Sequence, residues 1–578
     1  MTKLEVTNTL DYLQTKDNYL SALNQIEEYA DKGYYIFGCL YYELGFLLED
    51  SHRKILSEIK EGTKLCVFFV FKNKDNIVYS PPNLQDLNDA KINVCLPKIS
   101  KAEYLNKIDI CQNNLKEGMS YELNFTFEAL IEAEGNPFLL YQKLKRKQKT
   151  KCSSYFYFEN GFVLSLSPEI FWEIDDPQIK TKPMKGTIKR GISFYDDTKA
   201  KESLMSSEKE KAENVMITDL FRNDLGKISE IGSVKVQNLF HTEALDSIWQ
   251  MTSEISAKLK PNIILNDLIK NLFPSGSVTG APKISSMEIL HTLEKRNRGI
   301  YTGSIMTYEK QEGKIISKAN VAIRTLCLSE SSNSLNGYYA VGSGITILAK
   351  PEQEYEECLS KLAFLNSPDI PDFEILETIR FYSGRYSFLN YHLDRMEKSS
   401  ERFLYPFDRH KALETLDSIA NVASGLLRIR LLLNAKGDFR AESYDFTRTG
   451  KNRKVNLGIA NQSLELSNPF LYHKTTIRDF YTNILTLGSK EGFEDMILCD
   501  ADGNISETCF RNIFYKIKDN WYTPTLTKGG LPGTLRQKLL DKRWLREKNI
   551  NINELAHCDM ILVGNSLRGL ERVNLIEL

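Results

Sequence analysis

Two pairs of glutamates, Glu210 with Glu213 and Glu354 with Glu357, stand three residues apart in stretches of helical apolar spacing. That spacing puts both carboxylates of a pair on one helix face. Four converging carboxylates suit a hard cation such as Mg2+, which could in turn hold a carboxylate of a small substrate. The same spacing also describes an ordinary solvated helix face, and the pairs alone do not separate the two readings. Other residues point to an anionic ligand. Gly276, Gly280, Gly342 and Gly344 permit close backbone approach, with free N–H groups that can cradle a carboxylate. Arg324 offers a planar fork for a carboxylate and Tyr301 a hydroxyl donor. The competing readings are a buried ion-pair role for Arg324 and a plain bulge at Gly342.

The elements that must position these groups are readable from patterning. Alternating apolar runs such as KLCVFFVF (64–71) and GFVLSLSPEIFWEI (161–174) predict strands. Apolar spacing predicts helices over 101–117, 205–221 and 283–296. Strands and helices mix without a regular βαβ alternation, so the first part is expected to be α+β. The clearest break is NSPDIPDFE (366–374), because two prolines so close cannot sit inside a continuing helix or central strand. A domain boundary is expected near residue 368, giving domains 1–366 and 372–578. Beyond it, FEILETIRFYSGRYSFL reads as two strands joined at Ser383-Gly384.

A chain of 578 residues exceeds one hydrophobic core. Its net charge of −1 gives no global pull toward nucleic acid or a membrane surface. The basic run KLKRKQKTK (143–151) reads as a solvated helix end. No apolar stretch is long enough to span a bilayer, and the first residues lack the apolar core of a signal peptide. Ten cysteines without a CxxC pair suit a reducing cytoplasm. Seven histidines, none spaced as a metal pair, argue against zinc.

The segments ENVMITDLFRNDLG (213–226), PSGSVTGAPKISSMEIL (274–290), RGIYTG (298–303), VAIRTL (321–326) and YYAVGSGITI (338–347) closely resemble the chorismate-utilising family. That family includes anthranilate, isochorismate and aminodeoxychorismate synthases, and the resemblance begins at GCLYYELG (38–45). It implies a fold of packed β-sheets with surrounding helices. It also implies that Glu213 and Glu357 are Mg2+ ligands with Glu210 and Glu354 beside them. Chorismate would be held by Gly186, Thr187, Tyr301, Arg324 and the turn Gly342, Ser343, Gly344, with help from Lys361. Glu169 in SLSPE matches the family's general acid on the departing hydroxyl, a role that needs a raised pKa.

The segment TKPMKGTIKR (181–190) separates the branches of the family. Anthranilate and isochorismate synthases generally carry alanine before the Gly-Thr, whereas aminodeoxychorismate synthases commonly carry lysine, and here Lys185 stands there. An amine at C2 of chorismate can add as the C4 hydroxyl leaves; ammonia then enters at C4 and expels it. Lys185 would have to be neutral, so a lowered pKa is expected. A surface lysine among Lys180, Lys182 and Lys189 is the competing reading. Two departures from the family are Gln250, where many members have histidine, and Glu122 in YELN in place of glutamine, with Asn124 kept.

The second part resembles the fold-type IV pyridoxal-phosphate family, an α/β domain found in aminodeoxychorismate lyase, branched-chain aminotransferases and D-amino-acid aminotransferase. The matching pieces are FEILETIR (373–380), FLNYHLDRMEKS (388–399), YHKTTIRDFY (472–481), DADGNISETCFRNIFY (500–515), GGLPGTLRQ (529–537) and GNS (564–566). The resemblance implies that Lys474 bonds pyridoxal 5'-phosphate and moves protons. Glu507 would face the pyridine nitrogen; Arg395, the Thr534 and Leu535 backbone and Ser566 would take the phosphate. A turn-flanking surface acid is the alternative for Glu507. No counterpart of the family's substrate-carboxylate arginine is evident, because LLLNAKGDFR (431–440) diverges.

The combination implies an enzyme that aminates chorismate to 4-amino-4-deoxychorismate and then eliminates pyruvate to give 4-aminobenzoate. The alternatives are an anthranilate synthase joined to an aminotransferase of branched-chain or D-amino acids, and a regulator that binds chorismate without turnover. No glutaminase pattern appears, so a separate glutamine amidotransferase subunit is implied as ammonia source. The second domain would also allow a homodimer.

Overall fold

The computed structural model describes residues 2–72, 89–148, 150–158, 161–331, 334–367, 371–420, 425–447 and 453–575. The chain divides into two compact units, Met1–Ile188 with Ser203–Ile370, and Lys189–Glu202 with Pro371–Leu578. The expected boundary at residue 368 itself lies outside the described residues. Among the described residues, no helix is long and apolar enough to cross a membrane.

The first unit carries helices around two antiparallel sheets, one of ten strands and one of seven, an α+β architecture. Each sheet has its own apolar core. Leu23, Ile26, Phe68 and Trp172 belong to the first, and Tyr104, Phe125, Leu164 and Leu326 to the second. The run 161–174 is not one strand. It forms Gly161–Ser167 in the smaller sheet and Ile170–Asp175 in the larger, broken at Pro168-Glu169. Proline at that point cannot donate a ladder hydrogen bond. A second crossing runs the other way, from Lys314–Asn320 to Thr325–Ser331 through Val321–Arg324. The two crossings are tied to each other. Val321 N–H donates to Glu169 O at 3.1 Å, and Leu166 N–H to Arg324 O at 3.0 Å. Glu169 and Arg324 are thus fixed where the chain changes sheets.

Expected helices appear at Lys101–Lys116 and Lys283–Glu294. The helix expected over 205–221 is instead Glu208–Ile228, started by Ser207, whose side chain accepts from Glu210 N–H. The preceding helix Phe194–Ser206 is separate, because a capping serine satisfies first-turn donors and ends continuity.

The second unit holds a four-stranded antiparallel sheet and an eight-stranded mixed sheet. The expected hairpin after residue 373 forms Ile375–Tyr382, but its return strand is only Arg385–Tyr386 before the helix Leu389–Phe403 starts. Lys189–Glu202 belongs to this unit although it lies far away in sequence. Arg402 Nε donates to Gly191 O at 2.9 Å, and Arg190 pairs with Asp197 at 2.6 Å, both side chains buried.

Candidate active sites

One cavity of the first unit is lined by all the residues that the family resemblance assigned to catalysis, metal and chorismate there. Lys185 and Gly186 lie on the strand Met184–Lys189. Glu210 and Glu213 come from the helix Glu208–Ile228, and Glu354 and Glu357 from Pro351–Asn366. The turn Gly342, Ser343, Gly344 ends the strand Ser334–Ile345. Gly186 has φ +92°, which favours glycine, and a Cβ there would meet Glu210 Oε2 at 3.1 Å. At Gly344 a Cβ would fall 2.5 Å from Lys185 Nζ. Gly276 and Gly280 do not line the cavity. A Cβ added at Gly276 would fall 2.3 Å from the Leu220 side chain and one at Gly280 2.1 Å from the Glu122 carbonyl, so their smallness serves packing.

Lys185 is largely enclosed, its side chain 11% exposed, and its ammonium is ion-paired with the buried Glu122. Burial alone would lower its pKa, but Glu122 and then Glu213 outweigh it and raise the pKa above the ordinary lysine value. The expected lowering is therefore absent in the free enzyme. Its cause is the carboxylate at position 122, where the family commonly has a neutral amide. Glu169 is fully buried, accepts from Ser277 Oγ at 2.6 Å, and is pushed by desolvation up to about 7.

Burial raises Glu210, Glu213 and Glu354, Glu213 to about 7. Glu357 is held low against its burial by Lys361, 2.7 Å away. Lys209 Nζ sits 3.7 Å from Glu213 and 3.8 Å from Glu354. Among the described residues, no three acidic, histidine or cysteine side chains stand close enough together to hold an ion. The donor type is nevertheless right for Mg2+, and the buried Glu213 Oε1 has no hydrogen-bond partner. Gln250 donates to Gly186 O at 2.9 Å and accepts from Thr187 at 3.1 Å, bracing the strand that carries Lys185. Arg324 donates to Lys361 O at 3.2 Å, and Lys361 to Gly342 O at 2.8 Å.

A cavity of the second unit is lined by Arg395, Lys474, Glu507, Thr534 and Ser566. Leu535 is one residue into the helix Thr534–Asp541 and off the cavity wall, leaving its backbone N–H as its contribution. Lys474 is pinned through its backbone, Leu376 N–H donating to Lys474 O at 2.8 Å. Burial, then Arg478 and Arg395, lower its amine to about 7. Desolvation pushes Glu507 up to about 7 while Leu531 N–H and Tyr481 OH donate to it at 3.0 and 3.2 Å.

Sequence analysis missed Glu377 and His392. Glu377 accepts twice from Arg395, at 2.8 and 2.6 Å, and lies 2.5 Å from His392 Nδ1. Against burial, which would raise it, Arg395 and His392 hold Glu377 down to about 2. His392 Nε2 stands 3.0 Å from Ser566 Oγ. The signal was the His-x-x-Arg spacing of 392 and 395, one face of a helix. A buried amine of low proton affinity, a carboxylic acid awaiting a cationic partner, and a cup of Arg395, Ser566 and a helix N-terminus fit pyridoxal phosphate.

Residues 7–367 match the family of chorismate binding enzymes, and residues 374–576 match amino-transferase class IV. The chain belongs to the chorismate binding enzyme family, with a class IV aminotransferase domain in the same polypeptide. Such a domain implies pyridoxal phosphate. The chain is 35% identical over 320 residues to the chloroplastic aminodeoxychorismate synthase of Arabidopsis thaliana, covering 53% of this chain and 34% of that one. It is 34% identical over 264 residues to aminodeoxychorismate synthase component 1 of Salmonella typhimurium, covering 46% and 57%. Anthranilate synthase component 1 of Acetivibrio thermocellus is 32% identical over 263 residues, covering 44% and 52%. The chain thus spans less than two thirds of the length of each of these relatives.

Proposed function

We propose that the chain makes 4-aminobenzoate from chorismate, by amination in the first cavity and pyruvate elimination in the second. The observation that carries this reading is Lys185, an amine whose side chain is only 11% exposed, in one cavity with Glu169 and four glutamates. Arg324, Tyr301, Gly186, Thr187, the Gly342–Gly344 turn and Lys361 would hold the substrate. Mg2+ held by Glu210, Glu213, Glu354 and Glu357 would take a substrate carboxylate. Lys185 passes its proton to Glu122, with which it is paired, and its nitrogen bonds to C2. Two ring double bonds shift, the C4–O bond breaks, and Glu169 supplies the proton with which the oxygen leaves as water. Ammonia then bonds to C4, the double bonds shift back, and the lysine nitrogen leaves C2.

In the second cavity Lys474, Glu507, Arg395, Thr534, Leu535 and Ser566 would hold pyridoxal phosphate, which when bound draws electrons from the carbon skeleton of an amine. With a proton affinity near neutrality, Lys474 can take the C4 proton. The C3–O bond then breaks, pyruvate leaves and the ring becomes aromatic. We assign the protein to the cytoplasm, where its ten cysteines would stay reduced.

Glu213→Gln or Glu357→Gln should each cut synthase activity by roughly 100-fold or more, since each removes a charged ligand from a hard cation. Activity with chorismate and ammonia, titrated with Mg2+ and EDTA, checks this. Indifference to both chelation and substitution would reduce the glutamates to a solvated face. With glutamine as sole nitrogen source the chain should be inactive until an amidotransferase subunit is added.

Glu169 must be protonated to act. With its pKa raised to about 7, the acid form is lost as pH rises through that value. Synthase rate, corrected for the free ammonia present, should therefore fall by about tenfold per pH unit above it. A corrected rate that keeps rising to pH 9 would exclude Glu169 as the acid.

A further inference from the structure

Arg298 is fully buried in the first unit and does not reach the wall of the first cavity. All five of its side-chain N–H donors are nevertheless engaged. Nε and Nη2 donate to the two oxygens of Glu294 at 2.9 and 2.7 Å, a bidentate pair with the end of the helix Lys283–Glu294. Nη2 also donates to Asn124 O at 2.8 Å, and Nη1 to Val278 O at 2.8 Å and to Thr302 Oγ1 at 3.4 Å. The guanidinium carbon lies 4.4 Å from the centre of the Tyr42 ring. Glu294 is itself fixed to the strand Glu122–Glu134, accepting from Thr126 N–H at 2.9 Å. The backbone of Arg298 has a separate anchor, its N–H donating to the buried Glu43 at 2.6 Å.

The two carbonyls belong to segments that carry the proton-handling groups of the synthase step. Asn124 is two residues from Glu122, the partner of the Lys185 ammonium. Val278 follows Ser277, whose hydroxyl donates to Glu169 at 2.6 Å. One rigid, planar cation thus holds both the strand of the proton acceptor and the turn that grips the proton donor. A buried ion pair is a weak source of stability beside apolar groups of similar volume; what the fixed fork supplies is geometry. We infer that Arg298 is a positioning residue for the synthase step, setting the spacing between Glu122, which takes the lysine proton, and Glu169, which protonates the leaving oxygen. The inference rests on the synthase reading of this cavity. Tyr301 and its substrate contact are a separate matter, because the Glu43 anchor is made to the Arg298 backbone and survives substitution of the side chain.

Arg298→Lys keeps a charge opposite Glu294, but one ammonium cannot span both carbonyls and both carboxylate oxygens. On the full chain with chorismate, ammonia and Mg2+, kcat for amination should fall roughly 10- to 100-fold while KM for chorismate stays within a few-fold. The pH profile is the second readout. Ser277, then Lys185 and Met184 N–H, favour the ionised form of Glu169 against its burial. Loosening Ser277 should therefore let the acid form persist to higher pH, moving the falling limb of the ammonia-corrected rate up by about one unit. Ser277→Ala should move the limb likewise, and adding Arg298→Lys to it should shift the limb no further, since both act through one hydrogen bond. The pair Arg298→Met with Glu294→Gln removes both charges and should melt near the wild type yet show the same loss of kcat and the same limb shift. Wild-type kcat with an unmoved limb in these folded variants would overturn the inference. So would a loss confined to KM or melting temperature, or additive limb shifts. A wild type without the limb would remove Glu169 as the acid and take the inference with it, whereas a limb present in the wild type and unmoved in the variants overturns the inference alone.

Discussion

Replacing Lys185 by alanine should abolish 4-aminobenzoate formation from chorismate and ammonia, with a loss of roughly 10^3-fold or more, as when a covalent nucleophile is removed. The regiochemistry depends on this amine. It occupies C2 so that ammonia must enter at C4; without it, ammonia has only C2 to attack. A trace of the ortho isomer, or of 2-amino-2-deoxyisochorismate, would support the role. Stability has to be separated from chemistry, because Lys185→Ala leaves Glu122 buried and unpaired. Losing one partner of a buried ion pair costs about 3–5 kcal/mol. The double variant Lys185→Met with Glu122→Gln replaces both charges by neutral groups of similar size. It should recover much of the melting temperature and none of the activity. Para product at near wild-type rate from either folded variant would remove Lys185 from the mechanism.

Lys474→Ala should eliminate the lyase step by a comparable factor and leave the synthase step intact, since the two lysines belong to different units. Given chorismate and ammonia, the variant should accumulate aminodeoxychorismate, detectable by chromatography and converted to 4-aminobenzoate when wild-type enzyme is added. The wild-type protein should be yellow, and borohydride should fix the cofactor to Lys474, which peptide mass spectrometry locates. The argument is electrostatic. Complete burial and two neighbouring arginines bring this amine to about 7, so near neutrality much of it is free base, able to bond a carbonyl and to carry a proton. A cofactor adduct at another lysine, or 4-aminobenzoate formation that survives Lys474→Ala, would displace it.

Much of both cavities was legible because their residues sit in local patterns. The i,i+3 glutamates lie on helix faces, Gly342 and Gly344 end a strand, and Lys474 follows a recognisable loop. What escaped depends on contacts far apart in sequence. Nothing around Glu122 reveals that it meets Lys185, because that approach depends on two strands in different sheets. The low proton affinity expected of Lys185 failed for the same reason. Glu169 was read within a continuous strand run, yet it lies at a crossing whose partner, Arg324, is on another segment. Glu377 was hidden in an apolar strand, FEILETIR, where an acid reads as an outward-facing residue until Arg395 and His392 are brought beneath it. The packing of Lys189–Glu202 into the second unit had no sequence signal either. Its partners Glu401 and Arg402 lie some two hundred positions further on.

The most direct test of two linked steps on one chain is the product balance of the purified, cofactor-loaded protein. It is given chorismate, ammonia and Mg2+ with no keto acid and no other enzyme. The account predicts 4-aminobenzoate and pyruvate in equal amounts, with the nitrogen of labelled ammonia retained on the ring para to the carboxylate. Anthranilate as the aromatic product, or formation of 4-aminobenzoate only when 2-oxoglutarate is supplied, would contradict it.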